Sequence, residues 1–211
     1  PDFVNFLART MLDTLSAVHA AGMLHRDVSP GNIMINMDSQ PMLIDFGAAR
    51  AEVTKASRAV STHPVVKDGY SPNELYISGA LQTPATDLYA LAGTLYHVTS
   101  DDVPPAADMR QHMMSNGESD PYTPLTGQYP DHDQALLAAI DKSMALRMAD
   151  RCQSAAEWLA MMDAKAPQQS RAKPATEKPA KPAAEKAAPA KAPSLTAYLA
   201  TALSRQNSGA V

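Results

Sequence analysis

Two short polar clusters stand out between apolar runs. His25-Arg26-Asp27-Val28-Ser29-Pro30-Gly31-Asn32 places an imidazole, a guanidinium, a carboxylate and an amide in one loop-length stretch, and Asp45-Phe46-Gly47 follows it downstream. As lone residues, Asp and Asn in loops usually cap turns, and a three-residue match recurs by chance. Two such clusters in order, separated by the length of a hairpin, are a far more specific signal. The chemistry they offer is that of carboxylate and amide oxygens. The rest of the chain supplies little competition. Its single cysteine, Cys152, allows no internal disulfide and no cysteine-pair zinc site, and it reads as a packing residue. His63, His97, His112 and His132 show no ligand spacing.

The elements that must hold these clusters follow from periodicity. Val4, Leu7, Met11, Leu15 and Val18 step by three or four and predict a helix that stops at Gly22. Ile33–Ile35 and Met42–Ile44 flank the turn-prone Asp38-Ser39-Gln40-Pro41 and predict a small hairpin. The first cluster thus lies between helix and strand, and the second closes the hairpin. Residues 47–82 show little periodicity and read as a long loop. Thr86–Thr99 is apolar on more than one side, as a central buried helix is. Two further helices are expected, Asp133–Met148 and Ala155–Met162, the latter opened by a capping box, Ser154-x-x-Glu157.

Charge divides the chain. Of the net −4, residues 1–163 contribute −10 and residues 164–211 contribute +6. An acidic body argues against nucleic-acid binding by that body. Residues 164–193 are mostly Ala, Lys and Pro with no aromatic, a composition that cannot offset the entropy of ordering, and they read as a disordered linker. Residues 194–211 read as a short C-terminal helix, with Leu195, Tyr198, Leu199, Ala202 and Leu203 on one face, or as a frayed tail. No apolar run approaches the roughly 18 residues of a membrane span, and no secretory signal opens the sequence, so a cytoplasmic location is expected.

The two clusters match the catalytic loop H-R-D-x-x-x-x-N and the D-F-G of protein kinases. Gly69-Tyr70-Ser71-Pro72-Asn73-Glu74 looks like the end of an activation segment, Thr86-Asp87-Leu88-Tyr89 like the start of the central C-lobe helix, and Asp150-Arg151 like the turn before the last one. Over about residues 3–163 the chain resembles bacterial serine/threonine protein kinases. The resemblance implies an α+β, predominantly α-helical, protein-kinase-like C-lobe with one short β-hairpin, using ATP and Mg²⁺ on a protein substrate. By it, Asp27 accepts or orients the proton of the substrate hydroxyl, and Asn32 and Asp45 ligate Mg²⁺. Arg26 pairs with a phosphate on the activation loop, where Ser57, Ser61 and Thr62 are the candidate acceptors. Asp87 holds the catalytic-loop backbone, Glu74 and Arg151 form a buried ion pair, and His25 is structural.

Three departures accompany the match. A kinase N-lobe carries a Gly-rich loop, a strand lysine and a helix glutamate, and none precedes the first helix. The chain opens at Pro1 without a methionine and reads as a C-lobe whose N-lobe is a missing partner segment, with negligible activity alone. The catalytic loop has Ser29 where these kinases carry a lysine, and Lys67 stands where they commonly carry a threonine. This exchange suggests that Lys67 reaches back to Asp27 and restores the lost charge. Two alternatives stand beside an active kinase. One is a kinase-like docking module without catalysis. The other is a small-molecule phosphotransferase, whose loop usually reads H-G-D; Arg26, Phe46-Gly47 and the activation segment argue against it.

Overall fold

Helix α1 (Asp2–Ala20) turns the predicted stripe inward, with Val4, Leu7, Met11, Leu15 and Val18 buried together with Ala8 and Leu12. Gly22 follows it in the left-handed region at φ +69°, the conformation that lets the chain reverse after a helix. The computed structural model describes residues 1–46, the backbone of 50–51, and residues 66–164. Gly47, the candidate acceptors Ser57, Ser61 and Thr62, all but the first residue of the linker expected from 164 to 193, and the segment from 194 to 211 lie outside the described residues.

After α1 come β1 (Met23–Leu24), a 3₁₀ turn at Pro30–Asn32, β2 (Ile33–Ile35), β3 (Pro41–Leu43) and β4 (Arg50–Ala51). The expected hairpin is β2–β3, antiparallel, pairing Ile33 with Leu43, Met34 with Met42 and Ile35 with Pro41. Its turn is closed by Asn36, whose Oδ1 accepts from the N–H groups of Asp38 and Gln40. The second strand begins one residue earlier than expected, at Pro41, a strand-start position where the missing N–H costs nothing. The expectation of one sheet is corrected: β1 pairs antiparallel with β4, Met23 against Ala51 and Leu24 against Arg50. Two-residue strands are too short for any period to register, and β4 falls inside the stretch read as loop.

The second half is helical: α2 (Asn73–Tyr76), α3 (Pro84–Ser100), α4 (Ala107–Ser115), α5 (Gln134–Ser143), a 3₁₀ turn at Met148–Asp150, and α6 (Ala155–Asp163). Helix α3 is the buried centre, every residue from Ala85 to Tyr96 being inside. It packs on α1 and α5, while α6 closes against α1 and α5, so residues 1–164 form one compact unit. The helix expected over Asp133–Met148 stops at Ser143. The carbonyls just beyond it accept from two distant arginines, Met144 from Arg110 Nη1 and Ala145 and Leu146 from Arg151, each at 2.8 Å. These bonds satisfy the orphan acceptors of a helix end better than another helical turn. The capping box of α6 is half formed. Ser154 Oγ accepts from the Glu157 N–H at 3.1 Å, but Glu157 Oε2 reaches the N–H of Gln153 rather than that of Ser154, and its other oxygen binds Lys142 at 2.6 Å. Helix α4 escaped notice because only Ala107 and Arg110 of its residues are buried. Cys152 is fully buried, as its reading as a packing residue requires, and burial pushes its thiol pKa up.

Candidate active site

The loop between β1 and β2 hangs from the central helix. Its apolar anchors, Leu24 and Val28, are buried, and so is His25. Asp87, fully buried in the first turn of α3, takes three donors: His25 N–H at 2.8 Å and His19 Nε2–H at 2.8 Å on Oδ2, and Arg26 N–H at 2.7 Å on Oδ1. Arg26 sits at φ +67°, a conformation that a non-glycine residue holds only where its surroundings fix it. The two carboxylate oxygens supply that fixing, and the role expected for Asp87 is what the geometry displays.

Asp87→Asn is therefore expected to damage the loop despite conserving shape. An amide has one acceptor oxygen, so its NH₂ would face a backbone N–H. Leaving one buried donor unsatisfied costs about 1–3 kcal/mol. Melting should fall accordingly, and hydrogen exchange at the His25 and Arg26 amides should accelerate; unchanged exchange would refute the assignment.

His25 ties this loop to the second cluster. Asp27 N–H donates to His25 Nδ1 at 3.3 Å, which leaves Nε2–H to donate to the Ile44 carbonyl at 3.2 Å. The Phe46 ring packs edge-on against the imidazole, with centroids 4.8 Å apart. Both nitrogens are engaged, so His25 is a structural strut. Ile44 N–H in turn donates to the Asn32 carbonyl at 2.9 Å, extending the hairpin ladder by one bond. Asp45 is the next residue, exposed and at φ +61°. The two predicted clusters are thereby brought to the same end of the hairpin.

Within the loop, Asn32 Nδ2 donates twice to Asp27, at 2.7 Å to its carbonyl and 2.8 Å to Oδ2. The other carboxylate oxygen, Oδ1, lies 2.6 Å from the Lys67 ammonium, which also donates to Ser29 Oγ at 3.0 Å. Lys67 thus reaches the Asp27 carboxylate, as the sequence exchange suggested. Fixing Nδ2 of Asn32 as the donor end makes Oδ1 its acceptor end, a hard oxygen suited to Mg²⁺. Magnesium typically takes one or two protein oxygens and fills its remaining positions with water and substrate phosphate. An amide oxygen at Asn32 and a carboxylate at Asp45 fit that habit. Among the described residues no cluster of three His, Cys, Asp or Glu offers a metal site of another kind.

The segment that carries Lys67 is pinned to α3. Tyr70 and Ser71 N–H both donate to the Lys67 carbonyl, and Lys67 N–H donates to Ser71 Oγ at 2.9 Å. Tyr70 Oη and His97 Nδ1 are hydrogen-bonded at 2.6 Å, and burial lowers the His97 pKa and raises that of Tyr70. Gly69, at φ +82°, could not bear a Cβ, which would stand 2.5 Å from Val103 Cγ1, and a Cβ on Gly93 of α3 would meet the Gly69 carbonyl at 2.7 Å. The bare Gly93 thus lets the turn lie flush on the helix, and the bare Gly69 lets it pass the Val103–Pro104 segment that follows the helix. Just beyond, the buried Glu74 meets Arg151 at 2.7 and 3.2 Å. Sequence reasoning missed His19, Ser71 and His97, whose contacts are through space and leave no spacing signal.

Residues 1–163 match the family model described as protein kinase domain. The chain is 35% identical over 153 residues to serine/threonine-protein kinase PknK of Mycobacterium bovis, covering 68% of this chain and 13% of that protein. It is 34% identical over 174 residues to serine/threonine-protein kinase F of Synechocystis, covering 81% and 33%. To PkaB of Streptomyces coelicolor it is 30% identical over 182 residues, covering 79% and 42%. The chain therefore spans less than half the length of each of these relatives. A solved structure, PpkA-294 in its apo form, superposes with a TM-score of 0.58 at 34% identity, over 73% of this chain and 51% of the other.

Proposed function

Since the chain belongs to the protein kinase domain family, with bacterial serine/threonine kinases as its relatives, we propose that residues 1–163 are the C-lobe of a protein serine/threonine kinase. The observation that carries this reading is the Asp27 carboxylate, set between Asn32 Nδ2 and the Lys67 ammonium on a loop suspended from Asp87. In the proposed reaction the substrate hydroxyl oxygen bonds to the γ-phosphorus of ATP as the bond to the β–γ bridging oxygen breaks. The hydroxyl proton passes to Asp27 and ADP departs. Asn32 Oδ1 and the Asp45 carboxylate would hold Mg²⁺, which supplies charge neutralisation at the phosphates when bound. Arg26, its backbone fixed by Asp87, would pair with a phosphate on one of Ser57, Ser61 or Thr62 and so register the state of that segment. Among the described residues no helix is long and apolar enough to cross a membrane.

Phosphoryl transfer depends almost wholly on positioning and charge. The 211 residues include no Gly-rich loop, strand lysine or paired helix glutamate. The 211-residue polypeptide is accordingly expected to transfer negligible phosphate from Mg-ATP to a protein substrate. The same polypeptide preceded by a kinase N-lobe should turn over. Robust Mg²⁺-dependent phosphorylation by the 211 residues alone would contradict the C-lobe assignment. An N-lobe-bearing form that binds nucleotide without transferring phosphate would favour the docking-module alternative.

A further inference from the structure

Bringing ATP to Asp27 sets two anions, a carboxylate and the transferring phosphoryl group, within a few ångströms of one another. A cation beside them relieves that repulsion, and its value rises where water is scarce. Ser29 cannot supply it. Its side chain is buried, short and neutral, and its hydroxyl accepts a bond from Lys67 Nζ. The ammonium comes instead from the far side of the 47–65 stretch, on a four-carbon stem that bridges Asp27 Oδ1 at 2.6 Å and Ser29 Oγ at 3.0 Å. A lysine is suited to this, being a movable point charge with three donors. With two donors spent on Asp27 and Ser29, one remains for an oxygen of the incoming phosphate.

Resting on the kinase reading, we propose that Lys67 is the catalytic cation of this site, delivered to Asp27 by the 67–71 turn rather than by the catalytic loop. The source of the charge has a consequence. A lysine on the loop would be present whenever the loop is folded. Lys67 is present only while its turn is seated, and the seat is made by bonds within the turn and by contacts to α3. These are Lys67 N–H to Ser71 Oγ, Tyr70 to His97, and the close approach of Gly69 to Gly93. Docking of the segment and completion of the charge at Asp27 are then one event, which makes the turn a gate on turnover.

The test has two arms. In the 211-residue chain, amine labelling followed by mass spectrometry should find Lys67 slower than a free lysine peptide, and Asp27→Asn should speed it. Labelling at the free rate would refute the tether. In the polypeptide preceded by a kinase N-lobe, Lys67→Met keeps the stem and removes the charge. It should lower kcat by about 100-fold, the usual effect of deleting one transition-state donor, while leaving KM for the protein substrate and the melting temperature near the parent values. Adding Ser29→Lys to that variant should recover at least about tenfold, because it returns an ammonium to the loop; a merely structural lysine would not be rescued this way. A parent that turns over while Lys67→Met is silent, or is impaired without rescue, overturns the assignment and leaves the kinase reading intact. A parent that binds Mg-ATP but transfers nothing refutes the kinase reading, and this inference with it.

Discussion

Replacing Arg151 with alanine should leave the body of the protein at the edge of unfolding. The guanidinium is fully buried, meets both oxygens of Glu74, donates to the carbonyls of Ala145 and Leu146, and lies 4.8 Å above the Tyr89 ring. Its removal strands the Glu74 carboxylate inside, with the Thr86 hydroxyl donating to Oε1, and it opens the carbonyls that terminate α5. Breaking a buried pair from one side costs about 3–5 kcal/mol, against a total stability of about 5–15 kcal/mol for a domain of this size. Arg151→Lys should fall only partly short of this loss, since an ammonium cannot serve two carboxylate oxygens and two carbonyls in one plane. Thermal and urea melts followed by circular dichroism measure the effect. A melting temperature for Arg151→Ala within a degree or two of the parent would show that the pair does not hold the segment after Lys67 to the helical body.

How much of this was legible in the sequence depended on whether a feature was local. Helix α1 declared itself because five apolar residues step at helical spacing, and α3 because its apolar positions run all the way round. The H-R-D and D-F-G clusters were visible because each is contiguous, and the hairpin between them sets their separation. Features made by distant partners were not. The end of α5 is decided by Arg110 and Arg151, the strand β4 by a two-residue partner, and the seat of the Lys67 turn by Ser71, Gly93 and His97. The Glu74–Arg151 and Asp87 contacts join residues 77 and about 60 positions apart and were anticipated only through the resemblance to kinases. Lys67 is the intermediate case. Its reach to Asp27 was suggested by an absence at Ser29 and a presence at 67, two departures that explain one another once the ammonium is seen between them.

In the proposed mechanism Asp27 is the residue on which the chemistry converges, and its substitution has the largest expected effect on rate. Asp27→Asn preserves volume and retains an oxygen to face Asn32 or Lys67, so the fold and the loop should persist. What is lost is the group proposed to take the hydroxyl proton and the anion that Lys67 bridges. Removing a positioned general base costs about 10²–10⁴ in rate, and the outcome here should lie in that range with nucleotide affinity little changed. The decisive measurement is the steady-state rate of Mg²⁺-dependent phosphate transfer from ATP to a serine- or threonine-containing protein, for the chain preceded by a kinase N-lobe and for its Asp27→Asn variant. A parent that turns over and a variant slowed at least about a hundredfold is the expected result, whereas a variant that transfers phosphate at the parent rate would contradict Asp27 as the catalytic carboxylate and the site built around it.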